Sequence, residues 1–467
     1  MKINIKEIKE ALGSELIEIH GEDNFVLNKV SIDSRNISNG DFYCPILGSN
    51  HDGHDYINDS LAKGAKGFFY SKEISGETFN RIKTNKNFAV QVKDTLRALQ
   101  WLSGYVRRKF NPKVIAITGS NGKTTTKEML GSVLSKSHKT VISKKSFNNH
   151  IGVPLTLLEM NEHTEFVVVE MGMNHIGEIH ELMQIAKPDI GIILNISCAH
   201  IGNFKNFEEL VEAKSEMGKD LKKDGLLLLN SNLKGIFKHY NDLRGRIYEF
   251  GSDKSAYCRY EAFAQNSKGV EVNIIIDGVN TKISYPGLGT HNAENIAAVC
   301  ACASFLKISL KDIESGISSM KTPSMRMELK VLKDGLKIIN DAYNANPSSF
   351  SAAIKTFDLI PCNGRKIMVV GEMKELGGLS KKYHEELAHE IDSSSVDEVY
   401  GIGENTRFLV DMLKNKPNKY ACYFSDKDEL YLQISKRLKN NDIVLLKGSR
   451  ANGLESIEKK LTEERMG

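Results

Sequence analysis

The segment VIAITGSNGKTTTKEML, from Val114 to Leu130, decides the fold of the region around it. It begins with apolar residues that predict a buried strand, continues with a Gly-Ser-Asn-Gly turn, and ends in residues that favour a helix. The main-chain N–H groups of such a turn point inward, and the positive end of the following helix adds to the attraction of an anion. The segment therefore predicts a strand, a phosphate-binding loop and a helix.

The loop carries the groups that phosphate binding requires. Lys123 supplies a positive charge for the β- and γ-phosphates, and the hydroxyl group of Thr124 is placed to bind Mg²⁺. The common motif has a glycine six residues before the lysine, where this chain has Ile117, so the loop is shorter than usual. A plain turn before a helix is the alternative, but turn geometry alone does not explain Gly-Lys-Thr. We expect the loop to comprise Gly119, Ser120, Asn121, Gly122, Lys123, Thr124 and Thr125.

ATP is the predicted nucleotide. A GTP-binding protein would normally carry an Asn-Lys-x-Asp element that reads guanine. The sequence NKPN at Asn415–Asn418 lacks the aspartate and lies far from the loop along the chain.

The composition is that of a globular protein with little net charge. The chain has 467 residues, of which 40% are hydrophobic and 26% charged, and a net charge of +4, too weak to predict nucleic-acid binding. Its seven cysteines include no CxxC pair, which is typical of free thiols in a reducing cytosol. The N-terminal sequence lacks the apolar core of a signal peptide, and no apolar run is long enough to span a bilayer. We expect a cytoplasmic protein without membrane insertion or bound nucleic acid.

Apolar strands alternate with helical segments along the chain, which predicts three α/β domains. We expect an N-terminal domain over residues 1–84, a central domain over 85–322 and a C-terminal domain over 323–467 with a mostly parallel sheet. The apolar spacing in Lys93–Phe110 predicts a helix that connects the first two domains. The segment VEVNIIIDG is expected to be one of the alternating strands of the central domain.

Two more candidate site residues follow strands that look buried. Glu170 ends the strand FVVVE, and His200 follows GIILNIS. Each has a structural alternative, because strand-end carboxylates are common at surfaces and a lone histidine is more often structural than a metal ligand. The ligand site of an open parallel sheet lies at the carboxyl ends of its strands, so Thr124, Glu170 and His200 should face one rim. Arg326 is either a surface arginine or one that neutralises a transferred phosphoryl group from another domain.

Together these motifs resemble those of the Mur ligases, which build the peptide stem of peptidoglycan. The resemblance covers almost the full chain and depends on the order and spacing of many segments. These are DSRNISNGDF, GHDYI, TGSNGKTTTKE, FNNHIGVP, EMGMNHIGEI, AHIGNF, EAKSE, GTHNAENIAAV, DAYNANPSS, GEMKELG and KGSRANGLE. The family fold that this implies has an N-terminal domain for the UDP end of the substrate, a central P-loop ATPase-type parallel sheet, and a C-terminal Rossmann-like domain that closes over the site.

Within the family, the motifs look like those of the member that adds D-alanyl-D-alanine to UDP-N-acetylmuramoyl-tripeptide. The resemblance implies that ATP and Mg²⁺ convert the tripeptide carboxylate to an acyl phosphate, which the dipeptide amine then attacks. This would be the last cytoplasmic step of peptidoglycan precursor synthesis, performed by a monomer. The chain lacks the Asp-Asn-Pro-Arg stretch of the diamino-acid-adding member, and it has Glu372 where the family more often has aspartate.

The resemblance also implies roles for single residues. Lys123, His200, Arg326 and Lys214 would be catalytic, with Lys214 at the position that carries a carbamate in Mur ligases. Thr124, Glu170, His200 and Lys214 would serve the metal ions. The nucleotide would further be contacted by Asn149 near the phosphates, by Asn292, Asn295, Tyr343 and Asn344 beside the base, and by Arg326 and Asp341 at ribose or phosphate. Ser34 and Arg35 would bind the UDP-sugar.

Two alternatives stay open. Another ligase of the superfamily, such as the diamino-acid-adding enzyme or a folylpolyglutamate synthase, would differ in the amine that it accepts. A nucleotide-switch protein would turn over nucleotide without any UDP-sugar. The sequence also leaves open whether the tripeptide ends in lysine or in diaminopimelate.

Overall fold

The computed structural model of the chain describes residues 1–22, 24–84, 86–233, 235, 246–266 and 269–466. Three large sheets, of five, nine and six strands, follow one another along these residues, each with helices between its strands. This arrangement confirms the predicted α/β class with three domains. Among the described helices, none combines the length and apolar character that crossing a membrane requires.

The N-terminal domain contains a five-stranded sheet and a separate strand pair. Its strands are β1 (Ile3–Asn4), β2 (Leu16–His20), β3 (Val26–Leu27), β4 (Val30–Ser31), β5 (Phe42–Tyr43), β6 (Gly67–Tyr70) and β7 (Phe88–Val92). Its helices are α1 (Ile5–Leu12), α2 (Ile57–Ala62) and α3 (Gly76–Thr84), followed by α4 (Thr95–Phe110). The sheet order is β2-β7-β6-β5-β4, and β1 pairs with β3. Because β7 belongs to this sheet, the sheet continues past residue 84, the domain boundary that the sequence suggests.

Helix α4 confirms the helix predicted from the apolar spacing of Lys93–Phe110. Asp94 caps its first turn by accepting a hydrogen bond from the N–H of Arg97. Leu99, Leu102 and Val106 are fully buried along one side. The helix therefore leads the chain from β7 of the first sheet to the first strand of the central sheet.

The central domain is built on a nine-stranded sheet. Its strands are β8 (Lys113–Thr118), β9 (Thr140–Ile142), β10 (Phe166–Glu170), β11 (Ile190–Ile193), β12 (Leu226–Asn230), β13 (Arg246–Gly251), β14 (Cys258–Asn266), β15 (Gly269–Ile276) and β16 (Val279–Tyr285). Its helices are α5 (Lys123–Leu134), α6 (Gly152–Leu157), α7 (Glu178–Ala186), α8 (Phe207–Lys219), α9 (Asn292–Phe305) and α10 (Leu310–Ser318). The strand order is β16-β15-β14-β13-β12-β11-β8-β10-β9.

The strands from β9 to β14 in this order pair in parallel, whereas β15 and β16 are antiparallel. The prediction of a parallel sheet is thus right for seven strands. The segment VEVNIIIDG instead forms most of β15 and the turn after it. Only Asp277 and Gly278 separate β15 from β16, and a two-residue turn can join only antiparallel strands, since parallel strands need a long crossover.

The core of the central sheet explains its apolar runs. Alternate residues of β8 enter two different hydrophobic clusters, with Val114 and Ala116 on one face and Ile115 and Ile117 on the other. A strand covered by helices on both faces has no polar face, so its sequence reads as continuous apolar residues. Polar residues then appear where each strand ends, which places them at the rim of the sheet.

The C-terminal domain has a six-stranded sheet, parallel except at one edge. Its strands are β17 (Glu328–Val331), β18 (Lys337–Asp341), β19 (Lys366–Gly371), β20 (Glu398–Ile402), β21 (Tyr420–Phe424) and β22 (Ile443–Lys447). Its helices are α11 (Pro347–Asp358), α12 (Ser380–Asp392), α13 (Thr406–Leu413), α14 (Lys427–Arg437) and α15 (Glu455–Met466). The strand order is β17-β18-β22-β19-β20-β21, and only β17 runs antiparallel to its neighbour. The predicted, mostly parallel third sheet is confirmed.

Candidate active site

A cavity of about 630 Å³ lies between the central and C-terminal domains. Gly119, Ser34 and Arg35 do not line it, and the last two lie on the N-terminal domain, where Arg35 is 84% exposed beside Asp33. The predicted site residues that do line it are Ser120, Asn121, Gly122, Lys123, Thr124, Thr125, Asn149, Glu170, His200, Lys214, Asn292, Asn295, Arg326, Asp341, Tyr343 and Asn344. Residues from about 120 to about 344 therefore come together in one place.

The predicted phosphate loop joins β8, the third strand from one edge of the central sheet, to the first turn of α5. Gly122 is the N-cap residue of α5, and no side chain caps that helix. The first N–H groups of α5 are therefore not taken up by a side-chain cap and can bind an anion. The Nζ atom of Lys123 donates to the carbonyl oxygen of Gly119 at 2.6 Å, which holds the ammonium group over the loop.

Gly122 is required by its conformation and by its neighbour. Its φ of +82° lies in the left-handed region, and a Cβ atom there would sit 2.4 Å from Oδ1 of Asn295. Gly278, in the turn between β15 and β16, has a similar φ of +80°, but a Cβ atom at that position would have no neighbour within 4 Å. A side chain would strain the backbone at either glycine, and only at Gly122 would it also meet a site residue.

We expect Gly122→Ala to weaken ADP binding about tenfold, or ~1.4 kcal/mol. To escape the strain and the contact with Asn295, the loop changes its conformation and turns its N–H groups away from the cavity. Calorimetric titration with ADP measures the effect. Gly278→Ala is the control, because it should lower thermal stability through the same left-handed strain, ~1–2 kcal/mol, and leave ADP affinity unchanged. Equal ADP affinity in both variants would contradict the assignment of this loop.

Thr124, in the first turn of α5, contacts Glu170 at the end of strand β10. The register pairs Glu170 of β10 with Ile117 of β8, just before the loop. Oγ1 of Thr124 donates to Oε2 of Glu170 at 2.8 Å, and Nδ2 of Asn148 donates to Oε1 of the same carboxylate at 2.8 Å. Both carboxylate oxygens are thereby oriented at the rim of the sheet.

Arg326 reaches this pair from the C-terminal domain. Its Nη2 atom donates to Oγ1 of Thr124 at 2.9 Å, and its guanidinium group lies 4.4 Å from the centre of the Tyr343 ring. Met325 and Met327, on either side, have φ values of +60° and +53°, which are unfavourable for residues with a side chain. Hydrogen bonds hold them there, since the N–H of Met327 donates to Asp341.

Three basic side chains lie around the cavity, and neighbouring positive charge lowers the pKa of two of them. Burial lowers the pKa of Lys123, Arg326 lowers it further, and Glu170 opposes the shift. Lys214, on α8, is only 2% exposed, and burial followed by the charge of Lys123 lowers its pKa well below the ordinary value. Lys123 and Arg326 thus keep positive charge close together and favour a multiply charged anion beside them, whereas the low pKa of Lys214 favours its neutral amine.

The donor atoms at the rim fit Mg²⁺ in kind. Hydroxyl and carboxylate oxygens, as on Thr124 and Glu170, are the hard ligands that Mg²⁺ prefers, and it commonly takes only one or two of them and completes its shell with water and phosphate. Among the residues that the structure describes, no three histidine, cysteine or acidic side chains cluster as a closed metal site. The arrangement fits an ion held jointly with a phosphate.

His200 lies at the contact between the two domains. Its Nδ1 is 2.6 Å from Oε2 of Glu375, and the N–H of Gly202 donates to the carbonyl oxygen of Glu375. His200 and Glu375 both have positive φ values, +62° and +63°. The imidazole lowers the pKa of the Glu375 carboxyl group by hydrogen bonding and charge. His200 thus lines the cavity together with Glu375, for which the sequence predicted no role.

Several site residues were missed from the sequence. Lys447, at the end of β22, donates to Oδ2 of Asp341 at 2.6 Å and is 1% exposed. A charged residue at the end of an apolar parallel strand is the signal that identified Glu170, and it applies to Lys447 as well. Asn148 was also missed, although its side chain contacts Glu170. Its neighbour Asn149, which was predicted, accepts hydrogen bonds from the N–H groups at the start of α6.

Family models match the chain in three consecutive regions. Residues 26–107 match the Mur ligase family catalytic domain, 117–303 the Mur ligase middle domain, and 325–450 the Mur ligase glutamate ligase domain. The gaps between these regions fall near the transitions between the three sheets.

Two relatives that match over nearly their full length carry the same name. The chain is 32% identical over 464 residues to the UDP-N-acetylmuramoyl-tripeptide–D-alanyl-D-alanine ligase of Bacillus subtilis, with 99% of each chain covered. It is 34% identical to the ligase of that name from Rickettsia prowazekii, over 97% of this chain and 98% of the relative. Among solved structures, it is similar to MurF of Acinetobacter baumannii, with a TM-score of 0.87, 27% identity and 99% of both chains covered. MurF of Thermotoga maritima in complex with ADP matches with a TM-score of 0.80 and 25% identity, over 94% of this chain and 97% of that one.

Proposed function

The chain belongs to the Mur ligase family, and we propose that it is the ATP-dependent ligase that adds D-alanyl-D-alanine to UDP-N-acetylmuramoyl-tripeptide. The observation that carries the proposal is the single cavity in which the loop at Lys123, the pair of Thr124 and Glu170, and Arg326 from another domain meet. Full-length similarity to ligases of that name supports the choice of substrates. The product is the pentapeptide precursor of peptidoglycan.

The reaction proceeds in two steps. The terminal carboxylate of the tripeptide attacks the γ-phosphorus of ATP, which forms an acyl phosphate and releases ADP. The amine of D-alanyl-D-alanine then attacks the acyl carbon, an amide bond forms, and phosphate leaves. A carboxylate is a poor acyl donor because it has no good leaving group, and phosphorylation provides one. Water in the cavity would hydrolyse the acyl phosphate, so closure of the domains protects the intermediate.

The residues around the cavity bind different parts of the nucleotide and its metal ion. The loop N–H groups and Lys123 bind the phosphates, and Arg326 adds positive charge from the C-terminal domain. Thr124, Glu170 and His200 would hold Mg²⁺, which neutralises phosphate charge when bound. Asn292, Asn295, Tyr343 and Asn344 line the cavity and contact the base. Nδ2 of Asn295 donates to Oδ1 of Asn292 at 2.9 Å, which orients both amides. Asp341, held by Lys447, faces ribose or phosphate.

Lys214 supplies a negative group through carbamylation. None of the described residues forms a hydrogen bond or ion pair with its amine, although the side chain is almost completely buried and lines the cavity. An unpaired buried ammonium group is unfavourable, and the low pKa favours the neutral amine that reacts with CO₂. The resulting carbamate has two oxygens for a second Mg²⁺, where an ammonium group would repel the ion.

The N-terminal domain binds the UDP end of the substrate, with Ser34 and Arg35 as contacts. Both lie on the short turn Ser34–Asn36, which Asp33 caps. Arg35 is exposed, and its guanidinium group is oriented by two hydrogen bonds to the carboxylate of Asp33. We assign the first sheet, which ends with β7 at Val92, to the UDP-sugar domain, so this domain extends past the boundary at residue 84. The ATP domain follows it to residue 322, and residues 323–467 form the closing domain. The enzyme acts as a monomer in the cytoplasm, where its nucleotide-linked substrates are made.

We expect sustained ADP release, beyond one equivalent per enzyme molecule, only when UDP-N-acetylmuramoyl-tripeptide and D-alanyl-D-alanine are both present. The tripeptide is needed to form the acyl phosphate, and the dipeptide is needed to convert the acyl phosphate to the product and free the enzyme for another cycle. A coupled ADP-release assay with each substrate omitted in turn measures this, and tripeptides ending in lysine or in diaminopimelate are compared in the same assay. A diamino acid or glutamate preferred over the dipeptide would identify another ligase of the superfamily. Nucleotide turnover without any UDP-sugar would identify a nucleotide switch.

A further inference from the structure

A cluster of uncharged side chains joins the phosphate loop to helix α11. The main chain of Asn121 is bound to the central domain, since its N–H donates to Oδ1 of Asn195 at 2.8 Å and its carbonyl oxygen accepts from Nδ2 of Asn195 at 3.2 Å. Its side chain is bound to the C-terminal domain. Oδ1 accepts from Nδ2 of Asn346 at 2.8 Å, and Nδ2 donates to the hydroxyl oxygen of Ser348 at 2.8 Å. One residue of the loop thus contacts both domains.

The amide of Asn346 has only one orientation that satisfies its neighbours. Asn346 is the N-cap of α11, and its Oδ1 accepts a hydrogen bond from the N–H of Ser349 at 2.9 Å. Its Nδ2 must therefore point away from the helix, toward Asn121. Since an amide presents one donor group and one acceptor, the cap also fixes which atom of Asn121 it meets.

Ser348 extends the cluster to the strand end that carries the site. Its hydroxyl group lies 2.8 Å from Oγ of Ser197, and the main chain of Ser197 bonds to the side chain of Ser120 in the phosphate loop. We call Asn121, Ser197, Asn346 and Ser348 the interdomain clasp. Because its bonds share atoms, a change in the loop conformation disturbs several of them at once.

We infer that Asn121 is a positioning residue that seats the C-terminal domain on the phosphate loop through Asn346 and Ser348. Arg326 belongs to the C-terminal domain and reaches Thr124 only when that domain is seated. Amide and hydroxyl groups are suited to such a contact because they add no charge beside the phosphates. The clasp therefore couples the conformation of the phosphate loop to the contact between Arg326 and Thr124. The catalytic consequence rests on the proposed function, but the seating itself does not.

The test removes the hydrogen bond between Asn121 and Asn346 by a substitution in each domain. Asn346→Ser keeps a good N-cap for α11 but is too short to reach Asn121, and Asn121→Ala removes the other partner. Ser351→Ala is the control, because Ser351 lies on the same helix and its side chain bonds only within the C-terminal domain, to Pro347 and Glu390. Turnover is measured by ADP release, and domain arrangement by small-angle X-ray scattering with saturating ADP. Thermal unfolding shows that each variant is folded.

We expect each clasp variant to lower the turnover number about tenfold and to increase the radius of gyration with ADP bound. The double variant should be no worse than the poorer single one, because Asn121→Ala already removes the bond to Asn346 that Asn346→Ser breaks. Ser351→Ala should match the wild type. Losses that multiply in the double variant, or wild-type scattering in Asn346→Ser, would overturn the inference. If Asn346→Ser does not fold, Asn121→Ala takes its place in the scattering test, and a wild-type radius of gyration in that variant would overturn the inference. If the wild type does not ligate, the proposed function fails, and the scattering still tests the clasp.

Discussion

Lys123→Ala should lose at least about 10²-fold in the rate of ADP release while keeping its fold. Lys123 is the positive charge that follows the loop, and its ammonium group contacts the loop carbonyl oxygens of Gly119 and Ser120 within the cavity. Phosphoryl transfer depends on charges that are already in place when the transition state forms, and removing one such group commonly costs two to three orders of magnitude. Steady-state ADP release with saturating substrates measures the loss.

The control for this variant is Lys136→Ala. Lys136 lies just beyond the other end of the same helix, α5, where it is exposed and bonds to Ser319. It should keep wild-type turnover, and both variants should unfold at temperatures close to that of the wild type. Near-normal turnover in Lys123→Ala would mean that the nucleotide binds elsewhere.

Lys214→Ala should be almost inactive, with a loss of more than about 10²-fold, because the carbamate that it carries in our proposal disappears. Bicarbonate should restore nothing to this variant, since no amine remains to react. A short carboxylic acid such as acetate or propionate should restore part of the rate by placing two oxygens in the space that the lysine leaves. Lys219→Ala, at the end of the same helix and paired with Glu212, is the control and should remain active.

The pH dependence of the wild type gives a second readout. The pKa of Lys214 is lowered in the folded protein, so the amine stays neutral to lower pH than an ordinary lysine. As the pH falls through that lowered pKa, the ammonium form accumulates and the carbamate is lost. Activity should therefore fall on the acid side, and added bicarbonate should recover part of it in the wild type only. A fully active Lys214→Ala, or high-resolution density for an unmodified amine with both metal ions bound, would exclude the carbamate.

Residue patterns were enough to predict most of the elements and the rim residues of the central domain. The strand, loop and helix of Val114–Leu130 depend on the periodicity and turn preferences of neighbouring residues, which act over a few positions. Glu170 could be placed because it ends an apolar strand, and parallel strands bring their carboxyl ends to one edge. The same rule would have found Lys447. The direction of β15 was missed although the sequence indicates it, since Glu271 and Asn273 alternate with buried residues and the Asp277-Gly278 pair favours a hairpin turn.

Which distant residues meet in the cavity depends on the packing of the domains. Arg326 is 202 residues from Thr124, and Asn346 is 225 residues from Asn121. Their contacts depend on how two separately folded domains pack, and local sequence preferences carry no information about that packing. The burial of Lys214 is of the same kind, since a lysine on a helix is ordinarily solvated and becomes desolvated only when the loop, the strand ends and α8 close around it.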